Sequence, residues 1–166
     1  MVRKYLIPKT LEKLKNAVKN CEEQNVFRKA SKEDAGKFLA KSQEDLFFAE
    51  NLLDENKLDW AIMACYRSMY LAGTALLVYY KQEYSKDHGC LVIAILDILK
   101  NEKPVKQIQK VKRILEEEVE ELEKIRRIRN MCQYQLHEID ESKAKKCVNE
   151  AGKFLKIIEE VVPIVF

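Results

Sequence analysis

The chain has 166 residues, enough for one ordinary domain with a buried core and too few for a second catalytic domain. With 34% charged residues, 4 Gly and 3 Pro, it lacks the turn residues that strand-rich folds need, and its composition is that of an all-helical protein. The net charge of +3 is uneven: residues 1–20 carry six Lys or Arg against one Glu, so the remainder is net −2 and only the leading segment is basic. That segment is either a solvated helix face or an arm for nucleic acid or membrane.

Pro8 and Thr10 open a first helix to about Cys21, with Leu11, Leu14 and Val18 on its apolar side, and the polar EEQN stretch ends it. Residues 1–30 are thus expected as an N-terminal helical extension, and residues 31–166 as the main bundle. Val2 to Pro8 lacks the apolar core of a signal peptide, so export is not expected. Ser31, followed three residues later by Asp34, resembles a capping box and starts a helix through Phe38, Leu39, Leu46, Phe47 and Leu53. A turn at Asp54 to Lys57 follows.

Ala61 to Tyr80 nearly has the length of a membrane span, yet it holds Arg67, and a mid-bilayer Arg costs about 2.5 to 3.5 kcal/mol. The stretch reads instead as the buried central helix of a soluble bundle. Ala61, Ala64, Ser68, Ala72 and Ala75 step by 3 and 4 into a stripe of small residues where a neighbouring helix can approach closely. Tyr66, Tyr70, Gly73, Leu77 and Tyr80 form a second face.

Ser85 is placed as the N-cap of a short helix to about Lys100, with His88 and Gly89 in its first turn. There His88 either caps backbone groups or fills a pocket. Pro104 starts a long helix whose stripe of Ile108, Val111, Leu115, Leu122 and Ile125 runs for some eight turns toward His137. Asp140 caps a last helix through Ala144, Val148, Ala151, Phe154, Leu155 and Ile158. The expected fold is an all-α, up-and-down antiparallel helical bundle with one additional N-terminal helix.

Cys21, Cys65, Cys90, Cys132 and Cys147 are odd in number and never closely paired, which reads as reduced core thiols in a cytoplasmic protein. No metal-ligand cluster and no Gly-rich phosphate loop is present in the sequence, so neither a metal nor a cofactor is expected.

Steps of 3 and 4 from Ile125 along the long helix land on Arg129, Cys132 and Leu136, so Arg129 occupies a position that should be apolar. An inward Arg either pairs with a carboxylate or faces a cleft that holds an anion. Beside it runs a polar column of Arg126, Asn130, Gln133 and His137, in which Arg129 and His137 lie about 80° apart in projection. The acidic run Glu116 to Glu123 and the basic run Lys124 to Arg129 suit the helix dipole without any ligand.

Four stretches together resemble the HEPN domain family, helical bundles found in prokaryotic toxin–antitoxin modules. They are KSQEDLFFAENLLDENKLDWAIMACYRSMYLAGTALL, SKDHGCLVIAI, the Arg129, Asn130, Tyr134 set, and ESKAKKCVNEAGKFLKIIEEV, covering about Ser31 to Val162. In the family's ribonucleases an Arg and a His separated by four to six residues form the active site, usually in a cleft shared by two subunits. The resemblance therefore implies a homodimer with Arg129 and His137 as catalytic residues. It further implies a nucleotide or RNA phosphate held by Arg129, Asn130, Tyr134 and Arg126; no membrane role is expected, given Arg67 in the Ala61 to Tyr80 stretch. His suits removal of a 2′-hydroxyl proton near neutrality, and Arg suits the charge developing on the phosphate. In this chain seven residues separate Arg129 from His137, and Tyr134 stands where a four-residue spacer would put the His.

Two functions remain in view. One is a binding module that pairs with a separately encoded nucleotidyltransferase in a toxin–antitoxin-like system. The other is a metal-independent ribonuclease toxin using Arg129 and His137.

Overall fold

Small side chains let the helix from Leu58 to Lys81 sit at the centre of the molecule. A computed structural model describes residues 7–100, 106–134 and 138–163. Its helices are α1 (Leu11–Glu23), α2 (Asp34–Asp54), α3 (Leu58–Lys81), α4 (His88–Lys100), α5 (Lys106–Tyr134) and α6 (Glu141–Val161). The arrangement is an all-α, up-and-down antiparallel bundle with α1 as the additional helix, as expected. Helix α3 packs against α2, α4, α5 and α6, while α1 lies on α4.

Ala61, Ala64, Ser68, Ala72 and Ala75 are all buried. Their closeness to α2 shows in a reciprocal exchange: the Ser42 hydroxyl donates to the Ser68 carbonyl at 2.7 Å, and the Ser68 hydroxyl donates to the Ser42 carbonyl at 2.8 Å. Each buried hydroxyl is thereby satisfied, which a core position demands. On the α4 side, a Cβ at Gly73 would stand 2.9 Å from Ile95 Cδ1, so the absence of a side chain sets that crossing. Leu58–Lys81 is long and apolar enough to cross a membrane by length and composition, but 67% of its most apolar window is buried in the bundle. Arg67 points outward and pairs with Asp45 at 3.2 Å.

Several local expectations are corrected. A two-stranded antiparallel ribbon joins β1 (Phe27–Lys29) to β2 (Glu83–Ser85), with Phe27 opposite Ser85 and Lys29 opposite Glu83. Three residues are too few to display the alternation that identifies a strand. Gln82, in the left-handed region at φ 54, turns the chain out of α3 into β2. Ser85 consequently belongs to the ribbon, and Asp87 caps α4 by accepting the Cys90 N–H at 2.9 Å. The box at Ser31 is half formed: Asp34 accepts the Ser31 N–H at 3.2 Å, while the Ser31 hydroxyl turns to Glu33. Phe47 is exposed rather than inward. The expectations at Pro104, Leu136 and His137, and for the side chain of Val111, lie outside the described residues.

The cysteines also divide. Cys21 of α1 and Cys90 of α4 form a disulfide with a Cα–Cα distance of 5.6 Å, whereas Cys65, Cys132 and Cys147 are free. The sequence hides the pair because 69 positions separate its members, and only the docking of α1 on α4 brings them together. Closing a loop of that length restricts the unfolded chain, so Cys21→Ser is expected to lower stability by about 2 to 5 kcal/mol in urea melts. Equal midpoints for oxidised wild type and Cys21→Ser would show that the cross-link contributes nothing.

A buried carboxyl lies between α5 and α6. Burial first, then the like charge of Glu150 and a hydrogen bond with it, push Glu118 up to about 7. Glu118 Oε2 is buried without a partner when both groups are ionised, and a proton on Glu118 supplies a donor toward Glu150. Because the folded value lies above the ordinary 4.5, the native state holds the extra proton, and stability falls as pH rises from about 4.5 to 7. Glu118→Gln is expected to flatten that window and to gain about 2 kcal/mol at pH 8. A Gln variant no more stable than wild type at pH 8 would contradict this assignment.

Candidate functional site

The first turn of α4 is pinned before any site residue is placed. Tyr70 of α3 donates its hydroxyl to the Ser85 carbonyl at 2.6 Å. The Ser85 hydroxyl accepts the Asp87 N–H at 3.0 Å and donates to the Asp87 carbonyl at 2.8 Å. With Asp87 capping the helix, the ring of His88 is directed between α3 and α5.

There it makes two short contacts. His88 Nε2 lies 2.6 Å from Glu123 Oε1, and His88 Nδ1 lies 2.6 Å from the Tyr66 hydroxyl. The side chains of His88 and Glu123 are only 9% and 6% exposed. An ionised carboxylate can only accept, so Nε2 carries the hydrogen; a neutral ring then offers Nδ1 to the Tyr66 hydroxyl as donor. The Tyr70 ring stacks on His88 at 6.1 Å and 24°, and the Tyr66 ring lies 5.3 Å away.

Burial is the largest influence on His88 and lowers it, while the hydrogen bond and charge of Glu123 oppose; the net position is below the ordinary value. For Glu123, burial pushes up, but the hydrogen bond with His88 and the charges of Arg126 and Arg127 outweigh it and hold the carboxyl low. We take the pair as neutral imidazole and carboxylate, because a second proton would put a buried cation beside Arg126 and Arg129. Burial pushes the Tyr66 phenol up to about 12, despite the lowering charges of Arg129 and Arg126.

Helix α5 brings two arginines to the same place. Arg126 Nη1 lies 3.6 Å from Glu123 Oε2. Arg129 lays its guanidinium over the Tyr66 ring, with Cζ 4.3 Å from the centroid, and donates from Nη1 to Gln133 Oε1 at 3.3 Å. Its Nε is buried without an acceptor, and among the described residues it forms no ion pair with a carboxylate. A guanidinium held by an aromatic face and a neutral amide keeps its charge available to an anion.

The expected site residues therefore separate. Arg129 and Arg126 join the cluster, and Asn130 is half-buried on the same helix. Tyr134 is 75% exposed at the end of α5. His137 lies outside the described residues. Tyr66 and Glu123, which the sequence reading passed over, complete the cluster together with His88: Asp87 takes the capping place, and the His88 ring fills an interior pocket, the other of the two places expected for it. Glu123 was concealed within an acidic run that reads as a solvated face, although it follows buried Val119 by one helical turn of four residues. Tyr66 carried a signal, its place beside the small-residue stripe of α3, but not its partners.

Fold and cluster together define a helical bundle with a buried imidazole–carboxylate pair beside a guanidinium that has no carboxylate partner among the described residues. Residues 35–161 match the HEPN domain family, and the chain belongs to that family. No curated protein matches it.

The neutral His88 has a stability signature. Its folded value lies below the ordinary 6.5, so its contribution is present above pH 6.5 and is lost as pH falls through the folded value; the Glu123 contribution follows at lower pH. The stability difference between wild type and His88→Gln is expected to shrink between pH 7.5 and about pH 5 in urea melts. A difference constant across that range would mean that His88 is not held neutral.

Proposed function

We propose that the chain is a ribonuclease of the HEPN family that cleaves RNA by internal attack of a 2′-hydroxyl, with Arg129 as the phosphate clamp. The observation that carries this reading is the state of Arg129: half-buried on the Tyr66 ring, its Nε without an acceptor, and unpaired with any carboxylate among the described residues. Charge that builds on a phosphate during in-line displacement is stabilised by a fixed, planar cation, and Arg supplies two parallel donors to it. Arg126, paired with Glu123 at 3.6 Å, adds positive charge to the same end of α5. We further propose a homodimer, on the grounds of the family membership.

Purified protein is expected to cut single-stranded RNA in EDTA and to leave 2′,3′-cyclic phosphate ends. Arg129→Lys, which keeps the charge but loses the two-pronged contact, is expected to reduce the rate by about tenfold or more, since one bidentate contact is worth roughly 1.5 to 3 kcal/mol. In the alternative, a module serving a nucleotidyltransferase partner, the same Arg129 holds a phosphate without cutting. That reading would be favoured by RNA binding that depends on Arg129 and yields no products. The dimer proposal is answered separately by sedimentation at micromolar concentration, where a single 19.5 kDa species would refute it.

A further inference from the structure

The Arg-to-Tyr134 spacing leaves the long helix without a His at the family's usual distance, and Tyr134 itself faces solvent. Yet a histidine does stand in the Arg129 cluster, brought in by α4. His88 and Arg129 share one residue: the Tyr66 ring carries the guanidinium on its face and gives its hydroxyl to His88 Nδ1 at 2.6 Å. Behind His88, the Glu123 carboxylate holds Nε2 at 2.6 Å. A hydroxyl, an imidazole and a carboxylate in that order, each within hydrogen-bond reach of the next, form the arrangement in which a base is oriented by a third group and acts on a hydroxyl.

We infer that Tyr66, His88 and Glu123 are the proton-accepting chain of the Arg129 site. This rests on the ribonuclease reading above and names the groups that carry its proton. The 2′-hydroxyl of the RNA gives its proton to the Tyr66 oxygen as Tyr66 gives its own to His88 Nδ1. The 2′-oxygen bonds to phosphorus, and the bond from phosphorus to the 5′-oxygen breaks. The 5′-oxygen takes a proton from water, and His88 returns its extra proton to solvent after the products leave. Tyr66 never has to exist as a free phenolate, which its burial disfavours, because one proton arrives as the other departs. The imidazolium formed in between is stabilised by Glu123.

In this scheme Tyr66 touches the substrate, and His88 and Glu123 are positioning residues acting through it. The groups facing His88 are Tyr66 and Tyr70 from α3, Glu123, Arg126 and Arg129 from α5, and Asp87 beside it on its own chain segment. The two arginines oppose a resting charge on the ring, and Glu123 favours the transient one. A base that is neutral at rest and charged only during reaction needs this balance.

The test uses the full chain and a labelled single-stranded RNA, with kcat and KM measured across pH. Tyr66→Phe keeps the ring beneath Arg129 and removes only the hydroxyl, so kcat is expected to fall by a factor on the order of 10² to 10⁴ with KM little changed. His88→Gln is expected to lower kcat and erase the acid limb of the pH profile. Glu123→Gln, which preserves shape, is expected to lower kcat less and to shift that limb, which gives a second reading should His88→Gln fold poorly. If wild type cuts while Tyr66→Phe and Glu123→Gln both match its kcat and His137→Ala is inactive, the base is on the long helix, and this inference is overturned while the ribonuclease reading stands. If wild type itself leaves the RNA intact, the ribonuclease reading fails and the chain has no such role.

Discussion

Everything in the bundle depends on how closely α3 can be approached. Its small residues let α2 come near enough for Ser42 and Ser68 to exchange hydroxyl-to-carbonyl bonds, and Gly73 admits Ile95 of α4. Interiors packed at crystal-like density allow little slack, so these contacts also fix the rotation of α3 about its axis. That rotation decides where Tyr66 and Tyr70 lie. With the stripe of small residues against α2, the tyrosines project toward α4 and α5, where both rings meet His88. The site is thus a by-product of core packing carried one face further round the same helix.

The cluster then holds together because its buried carboxylate is shared. Glu123 faces His88 on one oxygen and Arg126 on the other, so a single buried carboxylate serves two partners. Buried charges are tolerated when paired and hydrogen-bonded, and Glu123 meets both conditions. Arg129 does not have a carboxylate among the described residues, and its cation rests on an aromatic face instead. Among the described residues the balance of the cluster is therefore positive on the side where Arg129 is partly exposed, which is where the proposed phosphate would sit. Glu118, on the same helix but turned toward α6, shows the opposite solution: burial and the neighbouring Glu150 carboxylate outweigh the Lys153 charge and favour its protonated form.

The fold was legible because long helices declare themselves through apolar spacing and caps: Thr10 accepts the Lys13 N–H, and Asp140 the Lys143 N–H. What escaped was what depends on contacts between distant segments. The ribbon of Phe27–Lys29 with Glu83–Ser85 has no local signature, and its formation moved the cap of α4 from Ser85 to Asp87. The Cys21–Cys90 bond needed the docking of α1. Of the site, Arg129 was visible as a cation in an apolar register, since periodicity alone marks such a residue. Its neighbours were not, because a Tyr on a core helix and a Glu within an acidic run look ordinary until a third helix places a histidine between them.

The state of that histidine is the most direct test of this account. In ¹⁵N-labelled protein at pH 7, NMR of the His88 ring is expected to show hydrogen on Nε2, none on Nδ1, and a Tyr66 hydroxyl proton shared with Nδ1. This tautomer is the one that joins Tyr66 to Glu123. Hydrogen on Nδ1, or a doubly protonated ring at pH 7, would contradict the account, since Tyr66 would then face a donor and the chain from the Arg129 site to Glu123 would be broken.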